Sequence, residues 1–157
     1  MENLEKSLAK TLAKKRKTLS VAESCTGGLI SNRLTNIAGS SKYFKAGVIA
    51  YSNEIKIRQL KVPSRLIKQK GAVSKEVAVS MAKNIRKISR SNLGLAVTGI
   101  AGPGGGTKTK PVGLVYIAIS SHKKHICKEF RFKGNRLAIK SKTATAALRL
   151  LKDFLKQ

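Results

Sequence analysis

The sequence predicts one α/β domain over residues 1–157, a mixed sheet with helices packed on it, and three observations carry that expectation. Strand-length apolar runs alternate with stretches of helical period as far as about residue 100. Two further apolar runs then follow with only a short basic turn between them, which reads as a hairpin and makes the sheet mixed. Apolar residues are 41% of the 157, enough to bury a core, and with Trp absent and aromatics at 4% that core must be filled by Leu, Ile, Val and Ala.

Each element has its own signal. Leu4, Leu8, Leu12 and Ala13 recur among lysines at helical spacing within residues 2–17. LSVAES (19–24) reads as a buried strand, and TGGLISNRLTNIAG opens at Thr26 and continues as an amphipathic helix closing at Gly39. FKAGVIAYSN (44–53) is a second strand, followed by SNEIKIRQL, a helix start with Ser52 or Asn53 as N-cap. A short helix follows Pro63. In VSKEVAVSMAKNIRKIS, Ser74 caps a helix whose stripe is Val77, Val79, Met81, Ala82 and Ile85. NLGLAVTGI is a third strand running into the glycine-rich loop AGPGGGTKTKP. VGLVYIAISS and HICKEFRFK form the hairpin, and NRLAIKSKTATAALRLLKDFLK is the closing helix. There are no internal repeats and no long linker.

Composition limits the function classes. The net charge is +26, from 33 basic and 7 acidic residues, and Lys outnumbers Arg 24 to 9. The lysines are spread over every segment, and base readout favours Arg and loop aromatics, so no specific nucleic-acid partner is expected. The charge does favour anionic ligands in general. No apolar run approaches the roughly 20 residues that span a bilayer, and the N-terminus lacks a signal-peptide core, so the expectation is a cytoplasmic chain with no membrane partner. Cys25 and Cys127 are then free thiols. His122 and His125 stand in a basic turn, and no cluster has metal-ligand spacing, so neither metal nor cofactor is expected.

Three stretches could carry chemistry. AESCTGG (22–28) lies at a strand-to-helix junction, where free backbone N–H groups can face a ligand, or where a capped helix simply packs on a sheet. VTGIAGPGGGTKTKPVG (97–113) has P-loop composition but fails the pattern, since Thr107 stands where Gly must precede Lys108, and it leads through Pro111 into a strand. An anion cradle of backbone amides remains, or a flexible loop. GSSKYFKAGVIAYSNEIK (39–56) holds Ser41, Tyr51 and Lys56. A serine needs a base, and a lysine of lowered pKa can be one. Spacing alone also allows Ser41 as a turn cap, Tyr51 in the core and Lys56 in solvent.

Taken together, AESCTGGLISNRLT, AGSSKYFKAGVIAYSNEIK, KGAVSKEVA and VTGIAGPGGGTKTKPVGLVYIAI, in this order, resemble the C-terminal domain family of the competence-damage-inducible protein CinA. The resemblance covers about residues 5–155. It implies a three-layer α/β/α fold, the single-domain form, and self-association into a homo-oligomer. It also implies an activity, since stand-alone members are nicotinamide-nucleotide amidohydrolases that convert nicotinamide mononucleotide and water to nicotinate mononucleotide and ammonia. On this resemblance the G-S-S serine falls on Ser41 as nucleophile, and the tyrosine and lysine of Y-S-N-E-x-K fall on Tyr51 and Lys56. Pocket-bordering positions fall on Ser24, Thr26, Gly27, Thr98 and Gly99, and a substrate-binding arginine falls on Arg136. Many relatives carry a second arginine four residues later. Here Lys140 keeps that charge without the bidentate fork. The alternative is a non-enzymatic binding module of the same fold acting in competence or DNA repair. An amidase for another small amide is a third reading.

Overall fold

The computed structural model describes residues 3–157. Five strands form one sheet in the order β2-β1-β3-β4-β5. β1 (Leu19–Glu23), β2 (Phe44–Ile49) and β3 (Leu93–Gly99) run parallel, while β4 (Leu114–Ser120) and β5 (His125–Arg131) close the sheet as the antiparallel hairpin. The predicted mixed sheet is therefore observed. The crossovers between parallel strands carry helices, as parallel pairing requires.

The two faces of the sheet differ in side-chain size, which follows from the period-2 alternation along each strand. Leu19 and Val21 of β1, Leu95 and Val97 of β3, and Val115, Ile117 and Ile119 of β4 point one way. They bury against α1 (Leu4–Lys14), α2 (Leu29–Thr35) and α6 (Arg136–Lys156). The opposite face presents Ala22, Ala96 and Ala118, in register across β1, β3 and β4. α5 (Lys75–Ser89) lies on this small-residue face through Val77, Ala78, Met81, Ala82 and Ile85. At Gly94 the approach is so close that a Cβ would sit 2.0 Å from the carbonyl oxygen of Ala82. The result is the three-layer α/β/α arrangement.

Between β2 and α5 lie two short helices, α3 (Asn53–Arg58) and α4 (Ser64–Lys70). β2 ends at Ile49, earlier than the apolar run suggests, because Ala50–Ser52 must turn so that the Ser52 side chain can cap α3 by accepting the Ile55 amide. α2 likewise begins later than predicted. Residues 24–28 form a turn, with Gly28 at φ +102 as the last residue before the helix. α6 begins after Asn135, whose side chain accepts the Ala138 amide. Among the described residues no helix is long and apolar enough to cross a membrane.

Candidate active site

The carboxyl ends of the three parallel strands meet at one edge of the sheet, the place where open α/β sheets form ligand crevices. A cavity of about 260 Å³ opens there. Its wall is assembled from four segments: Ser24 and Cys25 after β1, Tyr51, Asn53 and Lys56 after β2, Ala72 and Val73 before α5, and the end of β3 at Thr98 and Gly99 with the glycine-rich loop that follows it. Arg136, the first residue of α6, closes the rim.

Lys56 is the anomaly in this wall. In a chain with 24 lysines it is 2% exposed and is the largest fully buried side chain. Its Nζ donates to Ser24 Oγ at 3.0 Å and to the Tyr51 carbonyl at 3.2 Å. Among the described residues no carboxylate lies within ion-pair distance of it. Burial therefore holds its pKa below the ordinary lysine range, with only the neighbouring Cys25 acting the other way. A neutral amine over the same 3.0 Å can accept the serine proton.

Ser24 is placed by the residue before it. Glu23 ends β1 with no exposure, and its carboxylate accepts four hydrogen bonds. These come from the Thr26 hydroxyl at 2.7 Å, the Ile30 amide at 2.9 Å, the Ser31 amide at 3.0 Å and the Ser31 hydroxyl at 2.7 Å. The carboxylate replaces the missing side-chain cap of α2 and fixes the turn that carries Ser24. Among the described residues the amides of Cys25 and Thr26 donate to no acceptor of another residue, the Cys25 amide facing its own thiol. The Cys25 thiol itself is inert, since burial pushes its pKa up to about 12.

The expected residues divide by place. Ser24, Tyr51, Lys56, Thr98, Gly99 and Arg136 line one cavity. Ser41 does not join them. It lies exposed in the 3₁₀ turn Ser40–Lys42, before β2, where Phe44 pairs with Leu19 at the start of β1. The six residues of β2 separate that end from Tyr51, a length of about 20 Å at 3.3 Å per residue. A straight strand keeps Ser41 away from Lys56 within the chain, and the serine that meets the Lys56 amine here is Ser24. Tyr51 is also used differently. Its carbonyl, not its phenol, meets Lys56, while its hydroxyl receives Arg136 Nη2 at 2.7 Å. Arg136 Nη1 donates to the Gly102 carbonyl at 2.7 Å, so the arginine straps the β2 end to the glycine-rich loop. Thr98 donates its hydroxyl to the Ala72 carbonyl at 2.9 Å. Thr26 gives its hydroxyl to Glu23, and so serves the turn rather than the cavity. Gly27 and Lys140 flank that turn: a Cβ on Gly27 would lie 3.6 Å from Lys140 Nζ. Sequence reading missed Asn53, which lines the cavity, and Glu23, whose signal was a carboxylate inside an otherwise buried strand.

The fold and this site define a class: a three-layer α/β/α domain with a serine–lysine pair at the carboxyl edge of its parallel strands. The model of the CinA C-terminal domain matches residues 1–155, and the chain belongs to that family. A putative competence-damage inducible protein of Desulforudis audaxviator is 48% identical over 151 residues, covering 96% of this chain and 37% of that protein. One from Caldicellulosiruptor bescii is 52% identical over 149 residues, covering 95% and 36%. The chain thus spans little more than a third of the curated relatives it matches. Among solved structures, the competence/damage inducible protein CihA from Agrobacterium tumefaciens superposes with a TM-score of 0.91 at 39% identity, covering 100% of this chain and 98% of that one. The competence damage-inducible protein A from Klebsiella pneumoniae gives a TM-score of 0.95 at 29% identity, covering 98% and 96%.

Proposed function

We propose that this chain is an amidohydrolase that converts nicotinamide mononucleotide and water to nicotinate mononucleotide and ammonia, with Ser24 as nucleophile and Lys56 as its base. The observation that carries the reading is the buried Lys56 amine 3.0 Å from Ser24 Oγ with no acidic partner. Burying an amine costs stability unless an ion pair offsets it, so a lysine kept in this state without one is suited to proton transfer at neutral pH.

In the first half-reaction Ser24 Oγ bonds to the carboxamide carbon and its proton passes to Lys56 Nζ. The amides of Cys25 and Thr26, which follow Ser24 in the same turn, are the donors this reading assigns to the oxyanion. One such donor is typically worth about 3 kcal/mol. The carbon–nitrogen bond then breaks, and the Lys56 proton leaves with ammonia. In the second half-reaction water attacks the acyl ester, Lys56 takes its proton, and Ser24 regains it as the carboxylate departs. Arg136 is the rim cation available for the phosphate, with Lys140 a turn further along α6 beside Gly27, and Tyr51 and Asn53 line the cavity for the ring or ribose. Neither metal nor cofactor has a role in this scheme.

The test is ammonia release from nicotinamide mononucleotide, measured against a panel of other small amides. Release from the mononucleotide, abolished in Ser24→Ala and retained in Ser41→Ala, is the expected result. Full activity of Ser24→Ala, or no activity of the parent chain on any amide, would remove the proposal.

A further inference from the structure

We propose that the end of the sheet opposite the cavity is a docking surface for the phosphate backbone of duplex nucleic acid, bound without regard to sequence. The surface is a product of topology. The loop from α1 to β1, the turn from α5 to β3 and the β4–β5 turn all emerge at the amino ends of the parallel strands, and α6 ends beside them. These segments carry Lys15, Arg16, Lys17, Arg90, Lys123 and Lys124, all exposed. Lys15, Lys17, Lys123 and Lys124 line a cavity of about 270 Å³ that contains no acidic residue. Among the described residues the one acidic side chain at this end is Asp153, already paired with Lys156 at 3.1 Å, and the terminal carboxylate of Gln157 lies at the cavity edge.

A second observation points the same way. Arg16 and Arg90 adopt φ +50 and +52, the left-handed conformation that glycine takes without strain and other residues take at about 1–2 kcal/mol; Lys61, away from the patch, is the third such residue, at φ +55. A cationic side chain is thus held at two helix ends where glycine is the relaxed choice.

The chemistry of the patch selects the partner. Strands β1, β3 and β4 lie about 4.8 Å apart, so with the hairpin turn the loops span roughly 15 Å. Over that length duplex DNA presents about nine phosphate charges, enough to face every cation of the patch. Single strands are gripped by exposed stacking aromatics, and an anionic bilayer by a row of apolar side chains. Of the exposed large apolar residues, Ile49, Tyr51 and Leu137 belong to the cavity end, leaving Ile88 alone near this one. Lysine-rich and concave, with its one phenyl ring, Phe154, buried under Lys124 and so closed to base stacking, the surface fits duplex phosphates.

The experiment uses the whole chain and a labelled duplex of random sequence, followed by anisotropy as salt rises. A variant with Lys15, Lys17, Lys123 and Lys124 changed to Gln should bind about tenfold or more weakly at low salt. Its plot of log K against log salt should be shallower by about 2–4. A control with Lys61, Lys68, Lys108 and Lys133 changed to Gln, equal in charge, should stay within about twofold of the parent. Because Lys15 Nζ also donates to the Leu155 carbonyl, a second variant keeps Lys15 and changes Arg16, Lys17 and Lys123 to Gln. It should show the same direction of loss with an unchanged melting temperature. Equal losses in patch and control variants, no duplex binding by the parent, or tighter binding to single strands or anionic vesicles would each overturn the proposal. Ammonia release is read separately and bears only on the cavity.

Discussion

Glu23 and Lys56 are both buried ionisable groups at the carboxyl end of the parallel strands, and they are treated in opposite ways. The carboxylate of Glu23 is surrounded by four donors, two backbone and two hydroxyl. Nothing about it is left unmet, so it acts as a fixed anchor for the first turn of α2. The amine of Lys56 meets one hydroxyl and one carbonyl, both uncharged, and its pKa is held down by burial. One group gives the turn its rigidity. The other keeps a burial cost that no ion pair offsets among the described residues, which the proposed function assigns to proton transfer. Two buried ionisable groups at one end of the sheet are thus told apart by their hydrogen-bond partners, and on the proposed function Glu23 is structural and Lys56 reactive.

The largest expected effect falls on the reactive member. Ser24→Ala and Lys56→Ala should each lower the rate of ammonia release by about 10³-fold or more, roughly 4 kcal/mol of barrier, with circular dichroism unchanged. A loss under tenfold in Lys56→Ala would move that residue to the structural side of the comparison. Next comes the anchor. Glu23→Ala leaves the Ile30 and Ser31 amides and two hydroxyls without an acceptor, and should cost about 3 kcal/mol or more in a denaturant titration. Glu23→Gln should recover part of it.

A smaller effect sharpens the contrast. Arg136→Ala frees the Tyr51 hydroxyl and the Gly102 carbonyl at the rim, and should raise KM about tenfold with kcat little changed. Smallest and opposite in sign is Lys56→Met. It removes the buried amine, and should stabilise the fold at neutral pH by about 1 kcal/mol, a rise of about 2–4 °C in Tm, while abolishing activity. The pH dependence follows from the lowered pKa. Between the folded pKa of Lys56 and about 10.4 the unfolded chain binds the extra proton, so stability rises with pH across that window. Below the folded pKa the native state carries the full cost of a buried charge. Lys56→Met should flatten this slope.

Much of the fold was legible because its signals are local. The capping serines Ser52 and Ser74, the apolar stripe of α5 and the basic turn of the hairpin announce their elements within a few residues. Strand order was not legible, because the pairing of β1 with both β2 and β3 depends on contacts far apart in sequence. Register alone lines up Ala22, Ala96 and Ala118 as a floor for α5. The site was half legible. Lys56, Tyr51, Thr98, Gly99 and Arg136 stood out as motifs and meet at the cavity. Ser41 was placed as nucleophile by the G-S-S motif of the resemblance; within the chain β2 carries it away from Lys56, whereas parallel pairing brings Ser24 across to Lys56. AESCTGG already had the features of a reactive turn, a strand end followed by glycines and a helix. Distance along the chain concealed its partner.

The most direct test is the titration of Lys56 itself, followed by NMR of its side-chain carbon beside the Nζ with Lys56→Met as the assignment control. A midpoint well below that of the exposed lysines, shifting when Ser24 is changed to Ala, would agree with a neutral amine poised against the serine. A midpoint near 10.4, indistinguishable from the surface lysines, would contradict it.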